Sequence, residues 1–346
     1  MKLGSTIGGL QRCAVGITAA AALCLSAHAQ ILINGAGSTF AAPLYTKWFS
    51  EYRSVDSTAN INYQAVGSGS GITQVSNGTV DFGATDGPMT DKQIADAKIK
   101  VLHFPTALGG VVPTYNIPGL TGEIKFTPQA LAGIYLGKIT RWDDPAIASV
   151  NKDLKLPSEN ITVVHRADGS GTTYVWTDYL SSISPEWKAG PGVGTAVKWP
   201  GNTLASKGND GVTGLVKNQK FSIGYVELIY AAKQKIPYGR VQNKAGEFIL
   251  ADLKSVTEAA AAAAKVMPAD FRVSIVNAPG KGVYPISSFT WLLIPQTIAD
   301  PQKKAIIVGV LKWAITKGQD YTEGLDYAPL PKEVVAKELK AISLIK

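Results

Sequence analysis

The chain has 346 residues, with 34 Lys and Arg against 26 Asp and Glu, a formal net charge of +8, two cysteines and three histidines. That length is enough for two domains with a core each, and so few Cys and His argue against a disulfide scaffold or a metal centre. The lysines are scattered, which predicts a mildly cationic solvated surface and argues against a nucleic-acid or membrane-binding face.

Residues 1–29 read as a secretory signal peptide. Lys2 and Arg12 precede an apolar run from Cys13 to Leu25, and Ala27-His28-Ala29 supplies the small-x-small cleavage pattern. Leu23 before Cys24 and Arg12 before Cys13 do not fit lipoprotein processing. Cleavage after Ala29 would remove both cysteines and leave 317 residues of net charge +6. A protein exported without disulfides relies on packing, which suits a bacterial periplasm. No later segment is long and apolar enough to cross a bilayer.

From there strands and helices alternate, as in α/β proteins. Ile31-Leu32-Ile33 predicts a buried strand, and Pro43 to Tyr52 a helix with Leu44, Trp48, Phe49 and Tyr52 on one face. Asn60 to Val66 alternates as a strand, with a short helix from Ile72 to Ser76. Asp81 to Thr85 predicts another strand with Asp86 just past its end, and Thr90-Asp91-Lys92-Gln93 is a capping box. Val163-Val164 is a strand, and Thr172 to Leu180 a helix. Ser255-Val256-Thr257-Glu258 reads as a second capping box heading Ala259 to Ala264, a peripheral helix with little to bury. Ser287 to Leu293 predicts a core strand, with an amphipathic helix from Pro301 to Ile315 against it. The seven tryptophans and thirteen tyrosines read mostly as packing residues.

Three segments carry chemistry: Asn34-Gly35-Ala36-Gly37-Ser38-Thr39-Phe40, Gly67-Ser68-Gly69-Ser70-Gly71 and Arg166-Ala167-Asp168-Gly169-Ser170-Gly171-Thr172. Each follows a strand and opens a helix, the edge of an α/β sheet where ligands bind. Glycines there turn backbone N–H groups toward a common point, hydroxyls add donors, and the helix dipole favours negative charge. Together with Arg166 they predict a cage for a small tetrahedral oxyanion. Asp168 is placed to hold the Arg166 guanidinium while its remaining N–H groups face the ligand. Asp86, a carboxylate among donors, suits only an anion that carries a proton.

Other chemistry finds little support. No segment has the P-loop spacing, and Gly67, Gly69 and Gly71 lack the dinucleotide spacing. His103 and His165 have no metal-ligand spacing, and each reads as a packed or exposed side chain. Ser68 or Ser170 could act as a nucleophile only with an activating base, and no G-x-S-x-G elbow is present.

At these residues the chain resembles the periplasmic phosphate-binding proteins of the bacterial high-affinity phosphate ABC importer, the PstS family. The resemblance runs through Gly35 to Phe40 with Ala42-Pro43, Val80 to Asp86, and Tyr135 to Ile139 followed by Trp142-Asp143-Asp144. It continues through Arg166 to Thr172, Lys207 to Gly211, Ile223 to Glu227 and Leu325 to Pro331. It implies an α/β, two-lobed periplasmic binding protein of type II, with the ligand cleft between lobes joined by crossing hinge strands. Lobe I would comprise 30–106 plus 285–346, and lobe II 107–284.

The phosphate ligands it implies are Thr39, Phe40, Ser68, Asp86, Arg166, Ser170, Gly171 and Thr172, with Asp168 orienting the Arg and Ser38 behind the site. Ser38 and His165 depart from the family pattern, where a small residue and a second Arg are expected. The implied protein is a soluble periplasmic monomer without cofactor, metal or catalytic residues. It delivers inorganic phosphate to the permease and ATPase subunits of an importer and binds no nucleic acid. A second reading, an exported phosphoester hydrolase or phosphotransferase, would use the same cage.

Overall fold

The computed structural model describes residues 30–264 and 267–346, so the signal-peptide expectation lies outside the described residues. The described residues include eleven strands: β1 (Ile31–Gly37), β2 (Ala59–Gln64), β3 (Phe82–Thr85), β4 (Val101–Asn116), β5 (Lys125–Phe126), β6 (Thr162–Arg166), β7 (Leu204–Ser206), β8 (Ser222–Glu227), β9 (Arg240–Gln242), β10 (Phe248–Ile249) and β11 (Ser287–Pro295). Eight of them form one continuous sheet in the order β2-β1-β3-β11-β4-β8-β6-β7, and β10-β9-β5 form a small second sheet.

The long strand β4 explains the shape. Its first part, Val101 to Gly110, pairs antiparallel with β11, and its last part, Val111 to Asn116, pairs antiparallel with β8. One strand therefore belongs to two sheet halves and changes partner between Gly110 and Val111. On one side β1 lies parallel to β2 and β3, and on the other β6 lies parallel to β7 and β8. These two parallel groups are the halves of a two-lobed molecule, and their strand ends carry the three glycine-rich segments.

Local chemistry starts the helices. Pro43 lies in the first turn of Ala42–Tyr52, where its missing N–H costs nothing, and the helix buries Leu44, Tyr45, Trp48, Phe49 and Tyr52. The Thr90–Gln93 capping box is complete in both directions. Asp300 caps Pro301–Ala314 through the N–H groups of Gln302 and Lys303. Trp48, Trp142, Trp176, Trp187 and Trp291 are fully buried, as are seven tyrosines, so most of the aromatic content is core.

Two helices differ from the sequence reading. The second glycine segment is not a loop: Ser68–Ser76 is helical throughout, with only Gly67 outside it at φ +96°. Gly and Ser are poor helix formers, but close packing overrides them. A Cβ on Gly71 would lie 2.6 Å from the Ala36 carbonyl oxygen of β1.

The alanine-rich helix spans Leu253–Ala264, beginning before the expected capping box. The reciprocal bonds run instead between Asp252 and Ser255, whose N–H groups reach Ser255 Oγ (3.0 Å) and Asp252 Oδ1 (2.7 Å). Nor is this helix peripheral. Val256, Ala259 and Ala260 are buried, because small side chains let it approach the glycine step of β4, where Val256 Cγ2 lies 3.3 Å from the Cβ position of Gly110.

Candidate functional site

The first wall of the site is the turn Ser38-Thr39-Phe40 between β1 and Ala42–Tyr52. Three tyrosine hydroxyls occupy its three successive carbonyls: Tyr63 on Ser38 (2.7 Å), Tyr230 on Thr39 (2.5 Å) and Tyr327 on Phe40 (2.5 Å). With the carbonyls held away, the N–H groups of Thr39 and Phe40 face the other way and bond to no acceptor among the described residues. This is how an anion nest is built from backbone. The sequence reading missed these tyrosines, because nothing in a lone Tyr reveals which carbonyl it will reach.

The second wall is Ser68 at the start of its helix and Asp86 just past β3. Asp86 is almost wholly buried and collects hydroxyl donors: Ser38 at 2.5 Å and Thr290 at 2.8 Å on Oδ1, and Ser68 at 3.3 Å on Oδ2. Burial pushes its carboxyl up to about 6, against the pull of the Ser38 and Thr290 hydroxyls, the Arg166 charge and the Ser68 hydroxyl. Ser38 thus acts on Asp86 through its hydroxyl. Thr290, on β11, was read only as a core-strand residue.

The third wall is Arg166 to Thr172. The Arg166 guanidinium is fully buried and grips Asp168 in a fork, Nε to Oδ1 at 2.8 Å and Nη2 to Oδ2 at 2.6 Å. Burial alone would raise the Asp168 carboxyl. The Arg166 hydrogen bonds and charge, with the Gly208 N–H at 3.0 Å, outweigh that and hold it below the usual carboxylate range. Nη1 is left to face Thr172 Oγ1 at 3.4 Å. Behind the arginine, the Tyr225 hydroxyl accepts its backbone N–H at 3.2 Å, and the Tyr225 ring stacks on Trp176 at 5.2 Å. Gly171–Ile183 opens with Ser170 as its cap, accepting from the Thr173 N–H. The N–H groups of Gly171 and Thr172 in that first turn bond to no acceptor among the described residues.

The walls meet across the cleft. The Gly69 N–H donates to the Gly169 carbonyl at 2.9 Å, and a Cβ on Gly67 would lie 2.4 Å from Asp168 Oδ2. Asn209, quoted in the sequence only within Lys207 to Gly211, bonds to Thr39 Oγ1 at 2.9 Å and to Thr172 Oγ1 at 3.1 Å. All eight sequence-predicted ligand residues therefore lie in these three walls.

His103 and His165 do not join them. His103 accepts the Met89 N–H and is lowered to about 4 by burial. The His165 ring stacks on Trp199 at 4.8 Å and bonds to the Arg166 carbonyl and Thr203. Among the described residues no group of three or more His, Cys, Asp or Glu could hold a metal, and no helix is long and apolar enough to cross a membrane.

A two-lobed α/β molecule with a donor-rich cage where its strand ends meet is the architecture of a periplasmic binding protein. Accordingly, the family model described as a PBP superfamily domain matches residues 25–317. The phosphate-binding protein PstS of Pasteurella multocida is 42% identical over 307 residues, covering 88% of each chain. That of Xylella fastidiosa (strain Temecula1) is 41% identical over 313 residues, covering 90% of this chain and 84% of the relative. The solved phosphate-binding protein of Stenotrophomonas maltophilia superposes with a TM-score of 0.68 at 19% identity, covering 90% of this chain and 93% of that one. The chain belongs to the PstS family of phosphate-binding proteins.

Proposed function

We propose that this protein is an extracytoplasmic receptor that closes two lobes around inorganic phosphate and hands it to an ABC importer. One observation carries the reading. Uncommitted donors from the first and third walls face the second: the N–H groups of Thr39, Phe40, Gly171 and Thr172, the hydroxyls of Thr39, Ser170 and Thr172, and Arg166 Nη1. Among them Asp86 Oδ2 is an acceptor with a single long bond of its own. Many donors and one acceptor match an oxyanion that carries one proton. Thr39, Phe40, Ser68, Asp86, Arg166, Ser170, Gly171 and Thr172 are the proposed ligands, and the PstS names of the relatives support phosphate as the anion.

The partner change within β4 supports lobe boundaries near 30–106 plus 285–346 and 107–284. Release then requires the lobes to part, and the closed form is what the permease and ATPase subunits recognise. Export with cleavage after Ala29, a periplasmic location and a monomeric state complete the reading. Binding without turnover is favoured over hydrolysis because His103 and His165, the histidines among the described residues, are engaged away from the cage hydroxyls.

Assaying the purified protein for bound phosphate and for p-nitrophenyl phosphate hydrolysis tests this. Stoichiometric phosphate without turnover is expected. Turnover would establish the hydrolase reading instead, and neither binding nor turnover would overturn both.

A further inference from the structure

Asn209 holds the hydroxyls of two cage residues from behind, and its own orientation is not free. Its Oδ1 accepts the backbone N–H of Glu227 at 3.0 Å, and a backbone N–H can only donate. The amide nitrogen is therefore the atom that faces Thr39 Oγ1 at 2.9 Å and Thr172 Oγ1 at 3.1 Å, one N–H for each. The backbone N–H of Asn209 adds a second donor to Thr39 Oγ1 at 3.3 Å, and Arg166 Nη1 adds a second to Thr172 Oγ1 at 3.4 Å. A hydroxyl oxygen has two lone pairs. In both threonines the two are taken, so each O–H proton must point elsewhere.

Neither proton finds an acceptor among the described residues, and Thr39 and Thr172 are both buried. An unpaired buried donor is costly, so the arrangement is favourable only when an acceptor arrives between the two hydroxyls. Because Thr39 lies in the β1 turn and Asn209 beyond β7, the Thr39 bonds form only when the two sides of the cleft come together.

We infer that Asn209 is a positioning residue that fixes the Thr39 and Thr172 hydroxyls as donors toward the anion and makes that polarity conditional on closure. Its amide does not touch the ligand. It acts by occupying lone pairs of both hydroxyls, so that neither can accept from the anion, which selects for bare anion oxygens at these two positions and leaves the anion's proton for Asp86. The inference rests on the proposed phosphate reading and on Thr39 and Thr172 as ligands.

The test is a mutant cycle read by phosphate titration calorimetry, with thermal melts to establish folding. Asn209→Ala and Asn209→Asp are each made in the wild type and in a Thr39→Val/Thr172→Val background. Both Asn209 variants should weaken phosphate by about tenfold or more in the wild type, the scale of losing oriented hydrogen bonds in a buried site; once the hydroxyls are gone Asn209→Ala should cost less than about threefold and Asn209→Asp, which keeps its charge effect, clearly less than in the wild type. In Asn209→Asp the hydroxyls turn to donate to the new carboxylate. Their lone pairs and the added charge then disfavour dianionic phosphate, and the loss should grow between pH 6 and pH 8.

Equal losses in both backgrounds would overturn the positioning role and make Asn209 a general packing residue. Should Asn209→Ala fail to fold, the near-isosteric Asn209→Asp carries the same cycle. A wild type that binds no phosphate at any pH would overturn the phosphate reading itself, and that result is separate from an additive cycle on a protein that binds.

Discussion

Gly171 and Asp86 approach each other across the cleft so closely that a Cβ on Gly171 would lie 2.4 Å from Asp86 Oδ2 and 2.4 Å from Ser68 Oγ. A first-turn N–H of one lobe and the lone acceptor of the other thus share the same small space. Gly171→Ala should fold normally, because alanine suits a helix start, but should resist closure. Overpacking costs about 1–3 kcal/mol, so phosphate affinity should fall roughly five- to a hundredfold. Small-angle scattering at saturating phosphate should show the variant more open than the wild type. Identical envelopes with equal affinity would mean that the approach is not needed for binding.

Arg166→Lys should weaken phosphate by roughly ten- to a hundredfold, the scale of about 1.5–3 kcal/mol for a hydrogen bond to a charged group. The guanidinium uses Nε and Nη2 on Asp168 and keeps Nη1 for the cage. Lysine has one nitrogen and cannot do both, so Asp168 would draw it away from the anion. Calorimetry that finds the affinity unchanged would place Arg166 outside the site.

Asp86→Asn should narrow the gap between phosphate and sulfate affinity. Phosphate near neutral pH always carries an O–H that can donate to Asp86 Oδ2, whereas sulfate presents only lone pairs to a buried carboxylate. The asparagine amide can donate, so it accepts sulfate where the acid repels it. Competition titration of the two anions against wild type and variant decides this. An undiminished preference for phosphate would locate selectivity elsewhere.

The same substitution has a consequence without ligand. Burial holds the Asp86 carboxyl up to about 6, so its contribution to the closed fold is fully present below its ordinary value near 3.8 and is lost as pH rises through 6. Asp86→Asn, which never ionises, should be more stable than the wild type in phosphate-free buffer at pH 7–8. The advantage should shrink toward pH 4. Urea melts across that range are the measurement, and a difference that does not vary with pH would show that Asp86 meets solvent in the free protein.

The three segments that form the walls were legible because they rest on local signals. Gly-rich turns that end strands, with Arg166 two residues before Asp168, keep their meaning wherever the chain carries them. The positioning set is different in kind. Tyr230 reaches Thr39 across 191 positions of sequence, Tyr327 reaches Phe40 across 287, and Thr290 reaches Asp86 across 204. Such partners are fixed by long-range topology, Thr290 for one by the pairing of β11 with β3, which no local pattern encodes. The helix after Gly67 was shortened in the sequence reading for a related reason. The propensity of Ser68 to Gly71 is poor, and it is packing of Gly71 on β1 that makes them helical.

Glu227 ends β8 beside the crossing strand, fully buried, with Oε2 accepting the Ile229 N–H at 2.9 Å and Oε1 without a partner. Oε1 lies 3.0 Å from the Cβ position of Gly109, so the β4 backbone packs directly on the acid. Burial first, and then the negative charges of Asp326 and Asp86, raise this carboxyl well above its ordinary range. A raised value in the folded state means that its contribution is present at low pH and is lost as pH rises through the shifted value. Glu227→Gln keeps the shape and the Ile229 bond but cannot ionise. Near pH 4, where the carboxyl is neutral folded and unfolded alike, it should match the wild type to within about 1 kcal/mol, the scale of placing an amide N–H where a neutral acid stood. At pH 9.5 it should be the more stable of the two. Glu338 is also buried without partners and raised by burial, but it is common to both proteins and drops out of the difference. Urea unfolding of both proteins at the two pH values, with phosphate removed, is the measurement. Parallel stability curves would show that Glu227 is already ionised at neutral pH and held by contacts other than these.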